Sequence, residues 1–307
     1  MSRGSSSARA FHNSFKLLIL LIKKMVYIPI LGALAAGTGT ILEKSILKNK
    51  KIDIKLYQVA SFLAIVITSL PFLYFFWKLD TEALQFQNIL IFVGVIITSV
   101  VANILIFYAE KSEKLTVLEP AKILEPLFVI ALAMIFSLFA KGFYDGNSNI
   151  LIPAIIAGIA LIFPYIKKDK LKINKYFIAT IFGSFFFALE LIISNLILEF
   201  YSPITFYFFR CLFVFAVSLI IFRPSFKPIN KKISIVILIT GAVWVIYRVA
   251  LYFGYLNFGV VSTTLFVMMI PVFIYTLSAI FLKEKLNWKN IVSALVVIGC
   301  VVYTILI

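Results

Sequence analysis

Histidine is nearly absent: His12 is the only one, and it lies in the N-terminal tail. Cysteine is almost as scarce, with Cys211 and Cys300 standing alone inside apolar runs. No CxxC or Cys/His spacing occurs, so a zinc site, a Cys/His nucleophile pair and a disulfide framework have no ingredients. Both cysteines read as packing residues. Charge is also thin, at 14% of 307 residues, against roughly 25% in a soluble domain. No GxxxxGK[ST] loop exists, which argues against ATP-driven pumping, and no HExxH, HxxxD, DxD or GxSxG arrangement marks a lipid-modifying enzyme. No cofactor or metal is expected.

What fills the chain instead is hydrocarbon. Hydrophobic residues make up 63% of it, and apolar runs of about 20 residues recur, each long enough to cross a bilayer core of about 30 Å. The chain therefore reads as an integral membrane protein. The formal charge of +16 does not indicate nucleic acid, because Lys and Arg cluster between apolar runs, as in KNKKIDIK and KKDKLKINK. That is the pattern of topology signals and headgroup contacts. Ten spans are expected, near 25–47, 56–77, 87–109, 115–139, 149–166, 174–198, 203–222, 233–255, 261–282 and 290–306. With no water in the bilayer core and no alternating strand pattern, they must be helices. Residues 1–24 form a polar tail and an interfacial lead-in, Phe15 to Ile22 being too short to span.

The two halves look alike. Pro126 in LEPLFVIALAMIF matches Pro271 in MIPVFIYTLSAIF, an offset of 145. Gly158 pairs with Gly299 and Gly32 with Gly183, in the same order. These marks imply two five-helix repeats, 25–166 and 174–307. Five passes are an odd number, so the repeats enter the membrane from opposite sides. Inverted repeats of this kind belong to transporters, whose substrate site lies near the midplane between them.

The run IPVFIYTLSAIFLKEKLNWKNIVSALVVIGCVVY resembles the closing helix pair of an EamA-like repeat of the drug/metabolite transporter superfamily. Pro271, Glu284 and Gly299 fill that pattern, and YSPITFYFFRCLFVF, with Pro203 and Arg210, looks like the start of the family's seventh helix. The resemblance implies a ten-helix secondary carrier of small metabolites, often an exporter, with cytoplasmic termini. The charge distribution implies the opposite orientation. The odd loops hold far more Lys and Arg, among them Lys48, Lys50, Lys51, Lys167, Lys168, Lys227 and Lys232, than the face with the termini, and the positive-inside rule puts the richer side in the cytoplasm.

A charge at mid-bilayer costs at least about 2.5–3.5 kcal/mol on insertion scales, so charges within spans face the bundle interior, paired. Glu119, Lys122 and Glu125 advance by three residues each and line one slowly rotating stripe. Lys122 can pair with either glutamate but cannot neutralise both, and Arg210 or Arg248 from the other repeat is expected to balance the rest. Pro120 and Pro126 each remove a backbone donor and free carbonyls to face a cavity. Arg248 shares a face with Trp244, Tyr252 and Tyr255; Glu190 shares one with Gly183 and Ser194. Such mixed stripes suit an amphipathic or zwitterionic solute. Arg210 has two readings, substrate partner or helix-locking pair, and Glu43 and Lys44 read as snorkelling from the end of the first helix. Gly32, Ala36 and Gly39 read as a surface for close helix approach.

The leading expectation is a monomeric, multi-pass carrier in the plasma membrane, working by alternating access. It binds a small amino-acid-like or related solute at Glu119, Lys122, Glu125, Glu190, Arg210, Trp244, Arg248 and Tyr252. A coupling proton would ride on Glu125 or Glu190, since burial favours a carboxyl's neutral form; a facilitator needing no ion fits the same residues. A channel or scaffold and a lipid-modifying enzyme are the alternatives.

Overall fold

The structure, a computed structural model, describes residues 25–139, 148–165, 173–281 and 288–306. The expected lead-in at 1–24 and Glu284 lie outside these. The described helices are α1 (Tyr27–Leu47), α2 (Ile54–Phe76), α3 (Phe86–Ser112), α4 (Leu115–Lys122), α5 (Leu124–Phe136), α6 (Ser148–Ile162), α7 (Lys175–Asn195), α8 (Pro203–Phe222), α9 (Lys231–Phe258), α10 (Val260–Val267), α11 (Ile270–Phe281) and α12 (Trp288–Leu306). Eight are long and apolar enough to cross a membrane, with a short 3₁₀ turn completing α6, and Val260–Thr276 is a shorter apolar stretch. The broken pairs α4–α5 and α10–α11 each make one pass, giving the ten passes expected. Large apolar side chains such as Leu70, Phe72, Ile97, Ile159 and Ile220 stay exposed on the outside, as a lipid-facing surface requires.

Helix starts follow local chemistry. Asp53 accepts from the Leu56 N–H, Asn174 from Tyr176 and Phe177, Ser202 from Thr205 and Asn230 from Ile233. Each side-chain oxygen satisfies an N–H that the first helical turn leaves free. Gly259, at φ 79°, supplies the left-handed corner joining α9 to α10 that other residues rarely adopt.

The principal pairings include α3 with α7, α1 with α9, α2 with α8, α6 with α12, α2 with α9, α5 with α7, α1 with α11 and α3 with α8. Exchanging the first five passes for the second five maps this set onto itself: α3·α7 becomes α9·α1, α5·α7 becomes α11·α1, and α2·α8 and α6·α12 map to themselves. That is the signature of a pseudo-twofold axis between two inverted five-helix sets. Glycines seat the exchanged pairs. A Cβ on Gly32 would lie 2.8 Å from the Ala250 Cβ, and one on Gly183 would lie 2.8 Å from Ile106 Cδ1. The equivalence of Gly158 and Gly299 is weaker, since a Cβ meets Leu127 at the first and nothing within 4 Å at the second.

On the face carrying the even loops, two loops are tied together. Residues before α3 and before α8 form an antiparallel bridge, Leu79 with Tyr201. The Asp80 N–H donates to the Phe200 carbonyl at 2.9 Å and the Ser202 N–H to the Lys78 carbonyl at 3.1 Å. Lys78 Nζ donates to the Glu199 carbonyl at 2.8 Å.

Candidate functional site

The breaks in the fourth and ninth passes fall at corresponding places. The fourth is interrupted at Ile123 and the ninth at Met268 and Met269, with Pro126 and Pro271 just beyond. Each proline lacks the N–H that would bond the carbonyl four residues earlier, on Lys122 and Val267. Irregular backbone at membrane depth persists only against protein or a cavity. Here it borders a cavity of about 150 Å³, whose wall includes Lys122, Ile123, Pro126, Val267, Met268 and Pro271. At a liquid share of about 30 Å³ per water, this is space for about five waters.

Six of the eight expected site residues line that cavity: Glu119, Lys122, Glu125, Arg210, Trp244 and Arg248. Glu190 and Tyr252 do not; both are fully buried behind the wall. The physical reason is pairing. The Glu190 carboxylate faces Arg210 Nε at 3.0 Å and Arg248 Nη1 at 3.3 Å, and it accepts from Tyr252 Oη at 3.1 Å and Ser194 Oγ at 3.1 Å. Arg210 Nη2 also donates to Ser99 Oγ at 2.7 Å. Glu190 thus draws both arginines together near the midplane, leaving part of each guanidinium at the cavity floor. Arg248 also lies over the Phe187 and Tyr247 rings, and Arg210 over Tyr207. The two readings of Arg210 merge: it locks α7 to α8 and reaches the cavity. A Cβ on Gly241 would sit 2.9 Å from the Ala64 backbone, so α9 runs close against α2 two turns before Arg248.

Two expected pairings are corrected. Lys122 bonds neither Glu119 nor Glu125; its ammonium contacts Glu110 Oε1 on α3. Arg210 and Arg248 are held chiefly by Glu190 of their own half, with Glu125 within electrostatic reach of Arg248 and Lys122. Glu43 does not snorkel: it is 5% exposed, lines the cavity and accepts from Tyr57 Oη at 3.4 Å. Lys44 donates instead to the Glu110 and Glu113 carbonyls, so it closes the C-terminal end of α3. Sequence reasoning missed Glu110 because the expected span stopped at 109. The signal was present: Ser99, Asn103, Ile106 and Glu110 form a helical stripe, and Asn103 and Ile106 line the cavity beside the charges.

The cavity lies between the midplane and the odd-loop face. Lys122 keeps 22% of its side chain accessible, whereas Glu190 keeps none. Carboxyls of Glu43 and Glu119 stand toward that face, guanidiniums of Arg210 and Arg248 form the floor, and Trp244 and Tyr247 pack edge to face at 5.6 Å along one side. Among the described residues no group of three or more His, Cys, Asp or Glu side chains is placed to hold a metal ion.

A family model for the EamA-like transporter family matches residues 174–306. No curated protein matches the sequence. A solved crystal structure is similar in fold, with a TM-score of 0.66 and 14% identity over 89% of this chain and 97% of that one. Its similarity thus runs through both sets of five passes. Residues 174–306, which supply Glu190, Arg210, Trp244 and Arg248, belong to the EamA-like transporter family, and the protein is a multi-pass membrane transporter of a small molecule.

Proposed function

We propose that the protein is a secondary carrier that moves a small polar or amphipathic, amino-acid-like metabolite by alternating access, in the direction of export from the cell. Residues 25–166 and 174–307 act as two EamA-like repeats, and a single chain in the plasma membrane is the working unit. One observation carries this reading: the cavity where the two broken passes meet is lined together by the carboxyls of Glu43, Glu119 and Glu125, the guanidiniums of Arg210 and Arg248 and the rings of Trp244 and Tyr247. A zwitterion matches that set of groups, its ammonium toward Glu119 and Glu125 and its carboxylate on Arg210 and Arg248, with Trp244 covering the apolar part. Glu190 and Tyr252 take a supporting role, holding the arginines in place. Of the two carboxyls expected to carry a coupling proton, Glu125 reaches the cavity, and Glu190 is already matched by two guanidiniums. The bridge between two even loops favours a carrier whose sides open in turn over a continuous channel.

The test is counterflow in proteoliposomes against amino acids, nucleosides and sugar phosphates, with Glu125→Gln and Arg248→Ala beside the unaltered protein. The expected result is saturable exchange of amino acids, reduced at least about tenfold in both folded variants, the loss of one charged contact being worth about 1.5–3 kcal/mol. Exchange that neither change affects would remove the cavity from the pathway.

A further inference from the structure

A buried carboxylate persists where a cation or hydrogen-bond donors face it, and the cations of this cavity already have carboxyl partners. Lys122 contacts Glu110, and Arg210 and Arg248 both face Glu190. Glu110 and Glu190 are fully buried and stand behind the wall. The carboxyls in the wall itself are those of Glu43, Glu119 and Glu125. Glu43 accepts from Tyr57. Glu119 and Glu125 make no hydrogen bond or ion pair among the described residues, although Glu119 is only 6% exposed.

Three cationic side chains therefore meet five carboxyls in and behind this wall. Lys44 does not make up the difference: it donates to the Glu110 and Glu113 carbonyls and lies outside the wall. A zwitterion of zero net charge leaves the imbalance as it was, because its carboxylate adds the charge that its ammonium removes. A solute with one further cation reduces it.

Helix rise sets where that cation belongs. The fourth pass starts at the odd-loop face with Leu115, and Glu119 and Glu125 follow four and ten residues later. At 1.5 Å per residue they lie about 6 and 15 Å deep. The α8 helix ends at that same face with Phe222, twelve residues beyond Arg210, which puts Arg210 about 18 Å deep. Glu125 and Arg210 thus stand at similar depth, where an α-ammonium and an α-carboxylate on one carbon can meet one each. Glu119 lies about 9 Å nearer the odd-loop face. Six single bonds of about 1.5 Å, in zigzag, span about 7–8 Å between the two nitrogens of an extended diamino acid. A hydrogen bond at either end covers the rest.

We propose that the solute is a basic amino acid, carrying a second cation at the end of its side chain, and that Glu119 recognises that second cation. Its carboxylate sits on Arg210 and Arg248, its α-ammonium on Glu125, and its aliphatic stem runs beside the Trp244 and Tyr247 rings. Lys122, neutralised by Glu110, does not repel the side chain. This inference rests on the reading of the cavity as the solute site.

Binding of radiolabelled L-lysine to the full chain in phosphatidylcholine nanodiscs, competed by L-norleucine and by cadaverine, tests it, with counterflow run in parallel. Norleucine keeps the stem and loses the terminal ammonium; cadaverine keeps both ammoniums and loses the carboxylate. Each should compete at least about tenfold less well than unlabelled lysine, the factor that one charged contact supplies. Glu119→Gln should weaken lysine about tenfold and leave norleucine unchanged, and Glu119→Asp should keep most of the preference. The proposal is overturned if lysine does not bind, if norleucine or cadaverine competes as well as lysine, or if the Gln variant weakens lysine and norleucine alike. Lysine that binds as expected without exchanging would sink the carrier reading and leave this one. Norleucine that exchanges as well as lysine would do the reverse.

Discussion

Replacing Glu190 by Gln keeps the side chain's shape and removes the one charge that faces both buried arginines. Arg210 Nε and Arg248 Nη1 lie 3.0 and 3.3 Å from its oxygens. With charge centres about 4 Å apart and an effective dielectric constant of about 20, each attraction amounts to about 4 kcal/mol. About 8 kcal/mol of attraction is thus lost, but Gln also spares the several kcal/mol spent on burying a carboxylate. The net loss expected is about 3–5 kcal/mol, as for other buried pairs broken on one side. Against a total stability of about 5–15 kcal/mol, this lowers the unfolding midpoint by roughly 6–20 °C. Thermal unfolding in lipid nanodiscs, followed by tryptophan fluorescence, reads it directly. Adding Arg210→Met to Glu190→Gln should recover part of the loss, because one unpaired guanidinium goes with it. A single variant within about 1 kcal/mol of the unaltered protein, or a double variant worse than the single by the full cost of another broken pair, would refute the assignment of Glu190 as the midplane lock.

Two glycines separate packing from backbone effects. Gly241→Ala should cost about 1–3 kcal/mol by overpacking, since its Cβ would press on the Ala64 backbone at 2.9 Å, whereas Gly94→Ala, with nothing within 4 Å, should be neutral or stabilising by up to about 1 kcal/mol; midpoint shifts for the pair check both. Leu79 and Tyr201 are bridged antiparallel, so their Cα atoms stand about 4.5–5.5 Å apart, within disulfide reach. With Cys211 and Cys300 replaced, oxidising a Leu79→Cys, Tyr201→Cys variant should stop counterflow and reduction should restore it; undiminished exchange in the cross-linked protein would mean that this face need not open.

The ten passes were legible because hydropathy and loop charge both mark bilayer crossings, and every described boundary falls within about four residues of its expectation. The breaks were legible too, through prolines at matching places. Pairing was not. Lys122 has two glutamates three residues away in its own pass, yet its partner comes from α3, and nothing local encodes which neighbouring helix lies closest. The same limit applied to Glu190, whose stripe with Gly183 and Ser194 marked it as buried but not as the shared counter-ion of two arginines. Glu43 was misread for another reason. Distance to a helix end was taken as the deciding variable, whereas its place on the Gly32, Ala36 and Gly39 face, against α9, decides its burial.

The buried charges fall into two groups that differ in the freedom they leave. At the midplane, one carboxylate meets two guanidiniums, a tyrosine and a serine, drawn from α7, α8 and α9 of the second half. Strong pairing makes that group a fixed frame: moving either arginine toward a solute means weakening a bond to Glu190, so an anionic group must replace what is lost. Toward the odd-loop face, Lys122 meets Glu110, Glu43 and Glu119 line the cavity close by, and Glu110 Oε2 has no hydrogen-bond donor. That group leaves carboxyls lining the cavity, and the ammonium of a solute is the counter-charge they can take. The two groups come from opposite halves, so relative movement of the halves changes the distance between a fixed cationic floor and a carboxyl cluster able to exchange its counter-charge. A solute spanning both ends would bind best at one separation, and that dependence ties occupancy of the cavity to its shape.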